Sequence, residues 1–124
     1  MEQLTKNISR RELKCKCGKC QCQVMDYLTI KLVQDACTHY EKVLNVEKVV
    51  LLINSAHRCL AHNRKVGSSD ASQHVKSTAM DIRIKGVSPK DLYEYFCATY
   101  PSQYGFGLYG SFTHIDSRAG CARW

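Results

Sequence analysis

Apolar residues recur every fourth position between residues 26 and 44. Leu28, Leu32, Ala36, Tyr40 and Leu44 form the line, and Val33 and Cys37 widen it. That spacing predicts an amphipathic helix with its stripe turned toward a core. The pattern then changes. Lys48-Val49-Val50-Leu51-Leu52-Ile53 is a continuous aliphatic run, which reads as a buried central strand. It empties into the polar stretch Asn54-Ser55-Ala56-His57-Arg58. Residues 59–66 suit a short helix stopped by Gly67, and Gly67-Ser68-Ser69-Asp70 is loop chemistry.

Residues 79–84 alternate. Met80, Ile82 and Ile84 share one face, and Ala79, Asp81 and Arg83 share the other, so Asp81 points away from the core. Ser88-Pro89-Lys90-Asp91 is a helix start, with Ser88 as cap, Pro89 in the first turn and Asp91 as the reciprocal partner. Leu92, Tyr95, Phe96 and Tyr100 supply its buried stripe, and Pro101 stops it. Residues 104–116 read as a hairpin turning at Gly110-Ser111, with Phe112, His114 and Asp116 on one face of its second strand. Tyr104, Phe106, Tyr109 and Phe112 either line a groove or pack the hairpin onto a helix. The expected architecture is α+β, a small antiparallel sheet with helices packed on it. Residues 1–14 form a polar, weakly specified N-terminal segment. Residues 15–124 form a single domain entered through a cysteine-rich loop, 15–22.

Composition narrows the class. A chain of 124 residues is about one domain, and nothing in it approaches the roughly 20 apolar residues of a membrane helix, so no membrane insertion is expected. The start, MEQLTKNISRRELK, lacks the apolar stretch of a secretory leader. The expectation is a chain that is cytoplasmic as synthesised. The net charge of +7 favours acidic partners, nucleic acid or an anionic cell wall. The basic residues are scattered along the chain rather than gathered into a stripe, which argues against nucleic acid. Eight cysteines are many. Without a leader, reduced thiols or metal ligation are the default over disulfides.

The chemistry concentrates in three places. His74 stands seven residues before Asp81, and His114 stands on the last strand. Two imidazoles and a carboxylate match the protein ligands of a catalytic zinc, which also wants an acid or base nearby. Asp116 lies two residues past His114 on the same face. An ordinary polar loop entering a strand is the alternative for the first pair. For Asp116 the alternative is an ion pair with Arg118 or Arg83, or a partner that orients a ligand histidine. The run Cys15-Lys16-Cys17-Gly18-Lys19-Cys20-Gln21-Cys22 is a candidate structural metal site through Cys15, Cys17, Cys20 and Cys22. It contains only one C-x-x-C knuckle, and disulfides formed after release from the cell are its other reading.

In order along the chain come Ser55-Ala56-His57-Arg58, His62-Asn63, Val66-Gly67, Ser72-Gln73-His74 with Ala79-Met80-Asp81, and Phe112-Thr113-His114-Ile115-Asp116-Ser117-Arg118. This series resembles the M15 family of zinc peptidases, whose pattern is S-x-H-x-x-G-x-A-x-D followed by a later histidine. The C-x-C-G start at Cys15 and the closing Arg123-Trp124 resemble its small phage and bacterial branch. The likeness covers about residues 13–124. It implies a Hedgehog/DD-peptidase-like fold and one zinc held by His74, Asp81 and His114. Arg58 would hold the substrate or polarise the scissile carbonyl, and Ser72 would belong to the substrate side of the motif. Asp116, read from its place beside His114, or an unidentified acid would move the proton. The implied activity is hydrolysis of peptidoglycan stem peptides, as a D,D-carboxypeptidase or an L,D-endopeptidase. The enzyme would be a monomer that reaches the wall after release, as a phage lysin does, or as part of a virion. Because the same fold serves Hedgehog signalling domains, a non-catalytic zinc-containing binding module is the alternative. Two departures stand out. Ser77 occupies the family's glycine, which implies backbone strain, and Ser111 stands where many relatives carry the catalytic acid.

Overall fold

The computed structural model describes residues 3–18, 25–69 and 72–124. Five strands form one mixed sheet in the order β1-β2-β4-β3-β5. They are β1 (Leu51–Ser55), β2 (Ala79–Ile84), β3 (Tyr104–Leu108), β4 (Thr113–Asp116) and β5 (Cys121–Arg123), joined by the helices α1 (Tyr27–Val43), α2 (Leu60–Lys65) and α3 (Pro89–Thr99). All pairings are antiparallel except β3 with β5, which is parallel. The fold is α+β, as the patterns require.

The alternation in β2 sorts the molecule into two faces. Met80, Ile82 and Ile84 are fully buried with Phe106 and Ile115 in one core cluster. On this face α1 contributes Ile30, Val33, Ala36, Cys37 and Tyr40, and α3 contributes Leu92 and Phe96. Burying a side chain of the Leu or Phe class stabilises by about 1.5–3 kcal/mol, so these two helices are held by the sheet rather than by propensity. Ser88 caps α3 as expected, its hydroxyl accepting from the Asp91 N–H at 3.1 Å. Helix α1 ends at Leu44, followed by Asn45 in the left-handed region (φ +54), a conformation that asparagine tolerates better than most residues.

Two expectations change. The aliphatic run at 48–53 is an edge strand, not a central one. Leu51 and Ile53 face the core, whereas Val50 and Leu52 remain 51% and 41% exposed. The N-terminal segment is also better specified than its polarity suggests. Ile8 and Leu13 are fully buried in the core. A short 3-10 helix, Arg10–Leu13, starts with a Ser9/Glu12 capping box, and Asn7 and Lys6 both donate to the Glu41 carboxylate. Among the described residues, no helix is long and apolar enough to cross a membrane.

Candidate metal and substrate site

The second face of the sheet carries polar groups. Asp81 on β2 and His114 on β4 are direct cross-strand partners, as are Ala79 and Asp116. On β3, across from β4, Gly107 pairs with His114 and Gly105 pairs with Asp116. The glycines are required by space. A Cβ on Gly105 would overlap the Asp116 carboxylate and Arg118 Nε, and one on Gly107 would overlap the Trp124 indole.

His74 reaches this face from the turn before β2. Its Nδ1 lies 2.7 Å from the Ala56 carbonyl oxygen, which can only accept, so Nδ1 carries a proton and Nε2 is the nitrogen that holds the lone pair when the ring is neutral. That Nε2 is buried and has no hydrogen-bond partner, although Asp81 Oδ2 is 3.1 Å away. The contact is close without being a hydrogen bond. His114 Nδ1 lies 2.8 Å from Asp81 Oδ1, and His114 Nε2 lies 2.8 Å from Asp116 Oδ2. The three side chains offer donor atoms all within 4.8 Å of one another.

The charges are set by these contacts. Burial opposes ionisation of Asp81, but the His114 hydrogen bond and the nearby His74 outweigh it and hold the carboxyl at about 2. Burial likewise opposes charge on His114, and the hydrogen bonds to Asp116 and Asp81 overcome it, raising its pKa above the ordinary 6.5. Without a metal, His114 is therefore the group that carries the proton between the two carboxylates.

Asp116 has no exposed surface. Its oxygens accept from Arg118 Nε at 2.8 Å, an Arg118 terminal nitrogen at 2.7 Å and the Arg118 backbone N–H at 3.2 Å, besides facing His114. Burial works against its charge, but the Arg118 fork and His114 hold the carboxyl well below the usual range. The sequence-based expectation of Asp116 as proton shuttle thus meets a carboxylate whose lone pairs are committed. The geometry is that of a group orienting His114.

A cavity of about 540 Å³ opens over the three donors. Arg58, Ser72, Tyr109, Arg118 and Trp124 line it. Arg58 follows β1. Its backbone N–H donates to the His74 carbonyl, one terminal nitrogen donates to Ser68 Oγ at 3.2 Å, and its buried Nε has no partner. Ser72 Oγ accepts from the His74 N–H at 3.2 Å, so it shapes the turn that presents His74. Ser111 lines a different cavity, with Arg83 and Lys85.

Ser77, in the family's glycine position, does adopt the left-handed region (φ +61). Its hydroxyl lies 2.6 Å from His57 Nδ1. The hairpin aromatics divide between two roles. Tyr104 and Phe106 pack with Tyr100, and Phe106 stacks on Phe96. Tyr109 and Phe112 stack on each other at 4.5 Å and line the cavity. Trp124 was not expected in the site. Its ring lies 5.0 Å from that of His114 and under the Arg118 guanidinium at 5.1 Å, and its Nε1–H donates to Tyr109 Oη. Only the closing Arg-Trp of the sequence signalled it. Of the cysteine run, Cys15 and Cys17 are described, whereas Cys20 and Cys22 lie outside the described residues.

Against known proteins, the family model described as Peptidase M15 matches residues 6–116. No curated protein matches the chain, and no solved structure does.

Proposed function

The chain belongs to the M15 peptidases, and on that footing we propose that it is a zinc metallopeptidase hydrolysing peptide bonds in peptidoglycan stem peptides. One observation carries the reading. His74 Nε2 is a buried nitrogen without a hydrogen-bond partner, 3.1 Å from a buried carboxylate that a second imidazole also faces. A buried polar nitrogen left unpartnered beside a carboxylate is costly unless a cation stands between them. Two imidazoles and one carboxylate suit zinc, with a position left for substrate or water. The ion, when bound, supplies Lewis acidity to a carbonyl oxygen and makes a water a nucleophile near neutral pH.

The remaining work falls to the chain. The Ala56 carbonyl fixes the His74 tautomer, and Asp116 fixes that of His114, so both lone pairs converge on Asp81. Arg58, which lines the cavity, would bind the peptide's carboxylate or the carbonyl oxygen as it gains charge. Tyr109, Phe112 and Trp124 give the cavity an apolar wall that limits water around the scissile bond. Ser72 holds the His74 turn. The net charge of +7 would keep the protein on an anionic wall polymer.

A non-catalytic binding module is the second reading, and one observation favours it. Among the described residues lining the cavity, Asp81 is the only carboxylate, so no uncommitted acid stands there to relay a proton. Purified peptidoglycan incubated with the zinc-loaded protein, beside an Asp81→Ala control, separates the two. Mass spectrometry should find stem peptides shortened or separated by the wild type alone, and the product masses name the bond. Intact stem peptides with zinc retained would replace the peptidase with the binding module.

A further inference from the structure

A second cluster of soft ligands lies apart from the His74–Asp81–His114 set. The sulfurs of Cys15, Cys17 and Cys59 all lie within 4.8 Å of one another, although Cys59 is 42 residues beyond Cys17 in sequence. We propose that these three thiols form a structural zinc site that staples the N-terminal loop to the segment carrying Arg58.

Three features point the same way. The first is spacing. In a tetrahedral site with Zn–S bonds of about 2.3 Å, neighbouring sulfurs stand roughly 3.8 Å apart, so three sulfurs all within 4.8 Å of one another are gathered on the scale of one ion. The second is hydrogen bonding toward sulfur. The Cys59 backbone N–H donates to Cys15 Sγ at 3.2 Å, and the His62 N–H donates to Cys59 Sγ at 3.4 Å. Amides aimed at sulfur stabilise the thiolate form that ligates metals. The third is charge. Lys14 and Lys16 bracket Cys15, and Arg11, Lys14 and Lys16 line the adjoining cavity with Cys15, outnumbering its one acidic residue, Glu12. They offset the negative charge of a thiolate set. Each thiol gives up its proton on ligation, and thiolates select zinc over harder divalent ions.

The site's position gives it a role. Cys59 directly follows Arg58, and the Ala56 carbonyl three residues earlier fixes the His74 tautomer. The His57 N–H already reaches the Leu13 carbonyl at 3.4 Å. A metal across Cys15, Cys17 and Cys59 would hold residues 56–59 to the N-terminal loop, and so hold Arg58 and the carbonyl that orients His74. The proposal stands whether or not the cavity donors bind zinc.

Cobalt is the probe. The metal-free, reduced full chain is titrated with Co²⁺, and the sulfur-to-cobalt charge-transfer band in the near ultraviolet is followed. The band should saturate at about one ion per chain and persist in Asp81→Ala. It should be lost or cut severalfold in Cys17→Ser and in Cys59→Ser, with one zinc fewer per chain in each. Circular dichroism identifies any variant that fails to fold. Cys17 is half-buried, so Cys17→Ser carries the test if Cys59→Ser unfolds. Hydrogen exchange gives a second readout: zinc should protect the amides of residues 56–59 in Asp81→Ala. The absence of a band in the reduced wild type would overturn the proposal. So would a band indifferent to both serine variants, since that would place the thiolates elsewhere.

Discussion

Replacing Asp116 with asparagine decides what that carboxylate does. The native group accepts three hydrogen bonds from Arg118 and faces His114 Nε2 at 2.8 Å. An asparagine of the same shape offers one oxygen and one NH₂ to this ring of donors. It can satisfy His114 or the Arg118 fork, not both, and its NH₂ then meets another donor. Breaking a fully buried ion pair costs about 3–5 kcal/mol. The Arg118 side chain is 30% exposed, so water recovers part of this, and a loss near 2 kcal/mol is expected. For a domain of this size that lowers Tm by about 8 °C. A residue that orients a ligand histidine is worth about 10- to 100-fold in metal affinity. Asp116→Asn should therefore weaken zinc binding by about that factor in a competition titration against a chromogenic chelator, with activity restored at saturating zinc. Gly105→Ala, which pushes a methyl into the same carboxylate, should weaken zinc similarly while keeping every charge. Unchanged zinc affinity with kcat lost even at saturating zinc would refute the orienting role and return Asp116 to proton transfer.

Ser77 offers a backbone test. Ser77→Ala and Ser77→Gly both lose the contact with His57, worth about 1 kcal/mol, but only glycine relieves the left-handed strain of about 1–2 kcal/mol. Urea denaturation should find the glycine variant more stable than the alanine variant by about 1 kcal/mol; equal or reversed stabilities would mean that the turn is not strained. The pH dependence of the metal-free chain is shaped by Asp81, Asp116 and His114, and Asp116, held low by Arg118 and His114, acts in the same direction as Asp81. Asp81, depressed from 3.8 to about 2, contributes stability that is present above 3.8 and lost as pH falls through about 2. His114, raised from 6.5, contributes stability that is complete below 6.5 and lost as pH rises through its folded value. Thermal melts of the metal-free chain should peak between those limits and decline above pH 6.5, whereas zinc affinity should rise with pH because His114 must surrender its proton. A metal-free chain equally stable at acid and alkaline pH would contradict this.

The parts legible in the sequence were those whose period matches their burial. The alternation at 79–84 put Asp81 on the face opposite Met80 and Ile82, and the β2–β4 register confirms that placement. The Ser88-Pro89 start of α3 was legible because a cap is a local event. The run 48–53 misled because an edge strand here carries apolar residues on its exposed face, which sequence cannot distinguish from burial on both sides. Ile8 and Leu13 have no period at all. They are single anchors in a polar stretch, and only tertiary packing makes them core. The meeting of Cys59 with Cys15 and Cys17 was hidden for the same reason, since no local rule links residues so far apart. The strain at Ser77 was legible through a departure from an expected glycine.

The facing of Asp81 and His114 across two neighbouring strands makes the donor set a detector of correct assembly. Slide β4 by one residue along β2, and every side chain on it changes face. His114 would then enter the apolar layer, and Ile115 would stand beside Asp81. A chain folded with that error could present no pair of imidazoles to a cation. A metal bound there would therefore select among whole sheets, holding only molecules whose strands have met in the native alignment and drawing misaligned ones back through unfolding by mass action.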